Sequence, residues 1–266
     1  MTMPTILEEI TDRKRKDLEA VKEDRPARDL YLQVERIMQS DIHHSLPQAL
    51  KESSTGIIAE FKRKSPSRGW IHREAKPEEV IPQYVTNGAT ALSILTDEPY
   101  FGGHNEYITR VRPDTHIPIL RKDFIVDEYQ LFEAKVLGAD AILLIAACLD
   151  RQLCRNLARM ARELNLDVLL EMHEERDLDY LDEHVSVAGV NNRDLHVFRT
   201  DLNTSFRLSS LIPDEFVRIS ESGIHQPEEA RLLRADGFNG FLIGELFMKH
   251  EQPGKALNDF ISRIVS

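Results

Sequence analysis

Charged and amide side chains stand at the ends of short apolar runs in this 266-residue chain. Ala59-Glu60-Phe61-Lys62 ends the first run and Leu120-Arg121-Lys122-Asp123 the third. Leu170-Glu171-Met172-His173 ends the fifth, Val190-Asn191-Asn192-Arg193 the sixth and Ser220-Glu221-Ser222-Gly223 the seventh. Ammonium, carboxylate, amide and guanidinium groups brought together can exchange protons with a substrate and hold its negative charge. The seventh and eighth runs end differently, in Ser222-Gly223 and in Gly244-Glu245, just ahead of helical sequence. Glycine lets an anion approach the backbone, and N–H groups at a helix start attract it. These two places therefore read as a phosphate cup.

Such groups converge only if the runs are strands of one sheet. The runs cover 56–62, 89–96, 117–122, 139–146, 167–173, 185–191, 216–222 and 238–244. Polar helical stretches separate them, with a spacing of roughly 20 to 35 residues, one strand plus one crossover helix. A doubly wound open sheet would carry a glycine-rich turn after its first strand. The turn here reads Arg63-Lys64-Ser65-Pro66-Ser67-Arg68-Gly69, which has no such spacing. Eight units fit a closed (β/α)8 TIM barrel, whose reactive groups belong at the C-terminal ends of the strands. Alternation then turns Ile58, Glu60 and Lys62 into the barrel and Ile57, Ala59 and Phe61 towards the helices.

The whole chain, 1–266, is read as one barrel domain, and residues 1–50 as a helical extension covering the barrel. Pro4 and Thr5 open its first helix, with Ile6, Leu7, Ile10, Leu18 and Val21 on an apolar stripe. The run Arg13-Lys14-Arg15-Lys16 is expected to be a solvated face of that helix.

Bulk composition narrows the partners. Asp and Glu number 45 against 34 Lys and Arg, a formal charge of −11. So acidic a chain lacks the basic face that nucleic acid requires. No apolar run reaches the roughly 18 residues of a membrane span, and Met1-Thr2-Met3-Pro4 lacks the order of a secretory signal. The expectation is a cytoplasmic protein, a monomer by default. Cys148 and Cys154 have no metal-ligand spacing and are read as reduced, partly buried thiols.

At the level of whole motifs the chain resembles the indole-3-glycerol phosphate synthases. The resemblance rests on Ile57-Ile58-Ala59-Glu60-Phe61-Lys62-Arg63-Lys64-Ser65-Pro66-Ser67-Arg68-Gly69 and on Ser93-Ile94-Leu95-Thr96-Asp97-Glu98-Pro99-Tyr100-Phe101-Gly102-Gly103. It continues in Pro118-Ile119-Leu120-Arg121-Lys122-Asp123-Phe124-Ile125, Leu169-Leu170-Glu171-Met172-His173 and Gly189-Val190-Asn191-Asn192-Arg193-Asp194-Leu195. Ser220-Glu221-Ser222-Gly223-Ile224 and Phe241-Leu242-Ile243-Gly244 close the series. The resemblance implies a small sugar-phosphate substrate, 1-(2-carboxyphenylamino)-1-deoxyribulose 5-phosphate. It implies ring closure with loss of CO2 and water, and neither metal nor organic cofactor. Lys122 is then the principal general acid, and Glu171 the base that also faces the developing positive charge on nitrogen. Lys62 is a second essential ammonium with Glu60 as its partner, while Asn191 and Glu221 orient substrate and catalytic groups. Arg193 and Ser65 are further substrate contacts, Pro66 and Phe101 apolar walls, and Ser222, Gly223 and Gly244 the phosphate site.

Glu245 stands beside that site. Its backbone N–H is expected to face the phosphate and its carboxylate to turn towards solvent or a basic partner, because like charges repel. An acid that protonates a ketone oxygen is further expected to have its pKa lowered by burial or a neighbouring cation. Two other readings compete. A phosphoribosylanthranilate isomerase-like barrel would use an early cysteine or aspartate, where this chain has Glu60 and Lys62. A non-catalytic barrel subunit would have no need of an intact set of acid, base and anion groups.

Overall fold

In the computed structural model, which describes residues 5–194 and 199–264, eight parallel strands close into a barrel. They are β1 (Ile57–Phe61), β2 (Ala91–Leu95), β3 (Ile119–Lys122), β4 (Ala141–Ile145), β5 (Asp167–Met172), β6 (Val187–Asn191), β7 (Val217–Glu221) and β8 (Gly240–Ile243). Each lies inside one of the eight apolar runs. Closure is made by β8 against β1, with Ile57 beside Phe241 and Ala59 beside Ile243. Pro4 and Leu195 of the motifs above lie outside the described residues.

Strand alternation divides the core into two apolar layers. Ile58, Leu120, Leu143, Leu169, Ile219 and Leu242 fill the barrel interior. Ile57, Ala59, Phe61, Ile94, Leu170 and Phe241 face outward to the helices. A charged group in the interior layer therefore survives only at the open end or with a partner.

The segment ahead of β1 runs the length of the barrel. α1 (Ile6–Asp24) starts at Thr5, whose hydroxyl accepts from the Glu8 N–H while the Glu8 carboxylate accepts from the Thr5 N–H, a capping box. It lies over the C-terminal mouth, where Leu7 and Ile10 are buried. Lys14 is not on a solvated face: its ammonium is 3.0 Å from Asp97 and 2.8 Å from Asp123, in the loops after β2 and β3. Single-sequence periodicity leaves it on the polar side of the helix, and only the folded mouth supplies its two carboxylates. Arg13 and Arg15 are exposed.

α2 (Ala27–Met38) descends along the helix Tyr129–Leu137 that follows β3. α3 (Leu46–Glu52) plugs the opposite, N-terminal end with Leu46 and Leu50, which join the interior layer. Two buried carboxylates hold the connection in place. Asp140 accepts from the His44 N–H at 2.9 Å, and Asp167 bonds the Leu46 N–H at 2.9 Å and the His43 ring at 3.1 Å.

Candidate active site

The mouth of the barrel holds a cavity of about 290 Å³. Alternation delivers its polar floor: Glu60 from β1, Lys122 from β3, Glu171 from β5, Asn191 from β6 and Glu221 from β7, with Lys62 just past β1. Lys122 is the hub. Its ammonium is 2.9 Å from Glu171 Oε2 and 3.4 Å from Glu221 Oε2. The Asn191 amide donates to Glu171 Oε1 at 3.1 Å, and Lys62 pairs with Glu60.

Two glycines make room for these carboxylates. A Cβ on Gly189 would lie 2.6 Å from Glu221 Oε1, and one on Gly244 would lie 2.3 Å from Glu60 Oε1. The sequence suggests that Gly244 is glycine so that phosphate can approach its backbone. The structure adds a requirement of its own, since the Glu60 side chain packs against its Cα. Gly223 has a φ of +79° and also has no room for a side chain, with Thr200 Cγ2 2.5 Å from the Cβ position. Ser222 shares the left-handed region at +65°.

The buried charges separate in their proton affinity. Burial alone would raise the Glu171 pKa, but Lys122, His173 and the bond from Asn191 bring it down to about 2. Burial dominates at Glu221. The Lys122 charge opposes it, the Glu171 and Glu60 charges reinforce it, and the carboxyl is pushed up to about 8. Two carboxyls on one ammonium are thus set apart, one ionised and one proton-bearing at neutral pH. At Lys122 burial works against the charge, yet Glu171, Glu221 and Glu60 hold the ammonium above the ordinary lysine value. This reverses the expected lowering. Three carboxyls face this lysine, and they outweigh its desolvation.

The remaining lining is apolar on one side and small or charged on the other. Phe101 and Phe124, with ring centroids 5.9 Å apart, form a wall with Leu7 and Ile10 of α1, and Pro66 stands at its edge. Across the mouth lie Ser222, Gly223, Gly244 and Glu245. The Glu245 carboxylate has basic partners, Arg68 Nε at 3.2 Å and Arg193 at 3.8 Å. Arg193 lines the cavity as well, with its own N–H donating to Asn191 Oδ1 at 3.0 Å.

Ser65 alone of the residues singled out does not reach the cavity. It belongs to a short antiparallel hairpin, Lys64–Ser65 against Gly69–Trp70, and is buried there. Ser67, two residues on, lines the cavity instead. Sequence reasoning also missed Arg68, Phe124 and Lys14, and it gave no role to His173, whose Nε2 is 3.4 Å from Glu171. Phe124 directly follows the Lys122-Asp123 pair that ends a strand, which is the signal that could have found it. Among the described residues no group of three or more His, Cys, Asp or Glu is arranged to hold a metal ion. Cys148 and Cys154 are free thiols.

Fold and site together define a (β/α)8-barrel enzyme built for acid–base chemistry at its C-terminal mouth. The family model described as indole-3-glycerol phosphate synthase matches residues 7–260. A Bacteroides thetaiotaomicron protein of that name is 50% identical over 98% of this chain and 100% of its own length. One from Salinibacter ruber is 44% identical over 96% and 94%. Among solved structures, a thiamine phosphate pyrophosphorylase from Pyrococcus furiosus shares the fold at a TM-score of 0.59 and 13% identity, covering 83% of this chain and 98% of that one. The chain belongs to the indole-3-glycerol phosphate synthase family, carboxy-lyases of tryptophan biosynthesis that act on a small phosphorylated molecule.

Proposed function

We propose that this chain converts 1-(2-carboxyphenylamino)-1-deoxyribulose 5-phosphate to indole-3-glycerol phosphate, with Lys122 as the principal acid and Glu171 as the base. The observation that carries the assignment of roles is the bridge Glu171–Lys122–Glu221 across the cavity floor, facing an aromatic wall. The carboxyphenyl ring lies against Phe101, Phe124 and Pro66. The phosphate lies at the backbone of Ser222, Gly223 and Gly244.

The reaction needs three things of these groups. As the ring carbon bonds to the ketone carbon, the carbonyl oxygen becomes a hydroxyl and takes a proton, which Lys122 supplies. The nitrogen and ring then carry positive charge, which the ionised Glu171 faces. The carboxylate leaves as CO2, and its bonding electrons neutralise that cation, so this step needs no acid. In dehydration the hydroxyl leaves as water after protonation, while a base removes the proton from the neighbouring carbon. Lys62 with Glu60 supplies the second ammonium and Glu221 a carboxyl that bears a proton at neutral pH. Asn191 and Glu221 orient the substrate hydroxyls, and Arg193 is a further substrate contact. A phosphorylated substrate does not cross a membrane freely, which supports a cytoplasmic reaction.

The test is direct. The purified protein is incubated with the carboxyphenylamino sugar phosphate, and indole fluorescence is recorded against a background of one tryptophan. Growth of the indole signal is expected. An isomerase or an inactive barrel would leave it flat.

A further inference from the structure

Glu245 puts a carboxylate at the corner where the substrate phosphate is proposed to sit. The carboxylate is spanned by two guanidiniums. Arg68, from the loop after β1, reaches Oε1 at 3.2 Å, and Arg193, from the loop after β6, approaches Oε2 at 3.8 Å. Arg193 also donates to Ser67 Oγ at 3.5 Å. All four residues line the cavity. One carboxylate balances one of the two positive charges, whereas a phosphate dianion would balance both. The pair is also easily exchanged. The Arg68 side chain is 68% exposed, and an ion pair in that setting is weak.

We infer that Glu245 is a built-in anion that holds Arg68 in place until the substrate phosphate takes its position, and that Arg68 is then a phosphate ligand. This rests on the proposed placement of the phosphate at Gly223 and Gly244. The guanidinium offers two parallel donors to phosphate oxygens. Arg68 lies in the turn of the hairpin that ends at Trp70, so its transfer from carboxylate to phosphate couples that loop to an occupied site. Glu245 in turn lowers the apparent affinity for any anion at the corner, because a bound anion must first displace it. The corner thereby selects dianionic over monoanionic ligands: only a ligand with two charges restores the pairing that it breaks.

Inorganic phosphate is the probe, assayed as an inhibitor of the synthase reaction. Five proteins are compared: the native chain, Glu245→Gln, Arg68→Gln, the double variant and, as a second carboxylate-free form, Glu245→Ser. Phosphate should compete with substrate in the native chain. Its inhibition constant should fall about threefold or more in both Glu245 variants. Arg68→Gln should weaken phosphate more in the Glu245→Gln background than in the native one, since only there is the guanidinium wholly committed to phosphate. Strictly additive effects would show that Glu245 acts by simple repulsion and would overturn the role of Arg68. Unchanged inhibition in both Glu245 variants would overturn the inference while leaving the phosphate corner intact. Phosphate that does not compete with substrate at all would remove the corner assignment, and the inference with it.

Discussion

Glu171 and Glu221 touch the same ammonium and differ because their surroundings differ. Glu171 has His173 and Asn191 as further partners, whereas Glu221 has the two neighbouring carboxylates and burial against it. Replacing Lys122 by Met should abolish nearly all turnover while substrate still binds, as read by single-turnover fluorescence and equilibrium titration. Near-normal kcat there would remove Lys122 from the acid role. Glu171→Gln should lower kcat by about 10² with a smaller change in KM, because its charge matters mainly in the transition state. A change confined to KM would make Glu171 a binding residue. Glu221 also predicts a pH dependence of stability. Its folded pKa of about 8 lies above the ordinary 4.5, so between those values the folded state holds a proton that the unfolded state has lost. Stability from this group is therefore greatest below about 4.5 and falls as pH rises towards 8. Urea titrations across that range should show Glu221→Gln gaining on the native protein as pH rises. A constant difference would mean that Glu221 is ionised throughout. The polar strand ends were legible in the sequence, because alternation alone sends Glu60, Lys122 and Glu171 to one face. Their pairing was not legible. Whether Lys122 meets cations or carboxylates depends on which strands stand opposite one another, and the expected lowering of its pKa failed for that reason.

The N-terminal segment serves two ends of one barrel. α1 contributes Leu7 and Ile10 to the cavity and Lys14 to Asp97 and Asp123, whereas α3 seals the far end with Leu46 and Leu50. Removing residues up to Asp24 should leave a folded barrel, with near-native circular dichroism, and should raise KM about tenfold or more as the apolar wall opens. Removing residues up to Glu52 should also expose the interior layer and leave Asp140 and Asp167 without several of their donors. That protein should lose its cooperative thermal transition. Equal behaviour of the two truncations would mean that the segment works as one piece. The first helix of this segment is visible in the sequence through periodicity and the Pro4-Thr5 start. That the segment changes ends is not, since the docking carboxylates at 97, 123, 140 and 167 are far away in the chain.

Across the whole molecule, two apolar layers carry the stability, and a charged side chain is buried outside the inner one. Arg121 is the largest fully buried side chain among the described residues. Its guanidinium bonds Thr96 at 3.2 Å, the Gln130 carbonyl at 3.0 Å and Asn105 at 3.0 Å, and it pairs with Asp123 and Glu133. Alternation on β3 sends Lys122 to the lumen and Arg121 outward, so neighbours in sequence serve chemistry and structure separately. Arg121→Met should cost about 3–5 kcal/mol in denaturant unfolding, because two buried carboxylates lose a partner. A cost below about 1 kcal/mol would mean that the neighbourhood relaxes around them. The strap formed by α1, α2 and α3 has a consequence for the order of events on the ribosome. Chains emerge N-terminus first, so this segment is made before any of the strands it must grip. The His43–Asp167 contact spans 124 residues and the His44–Asp140 contact 96. Until β8 has left the exit tunnel and closed against β1, the apolar face of α3 has no complete barrel end to cover, and contacts so distant in sequence close slowly. The nascent chain therefore carries an unplaced apolar helix through more than half of its synthesis, an interval in which a holding chaperone would find a binding surface on α3.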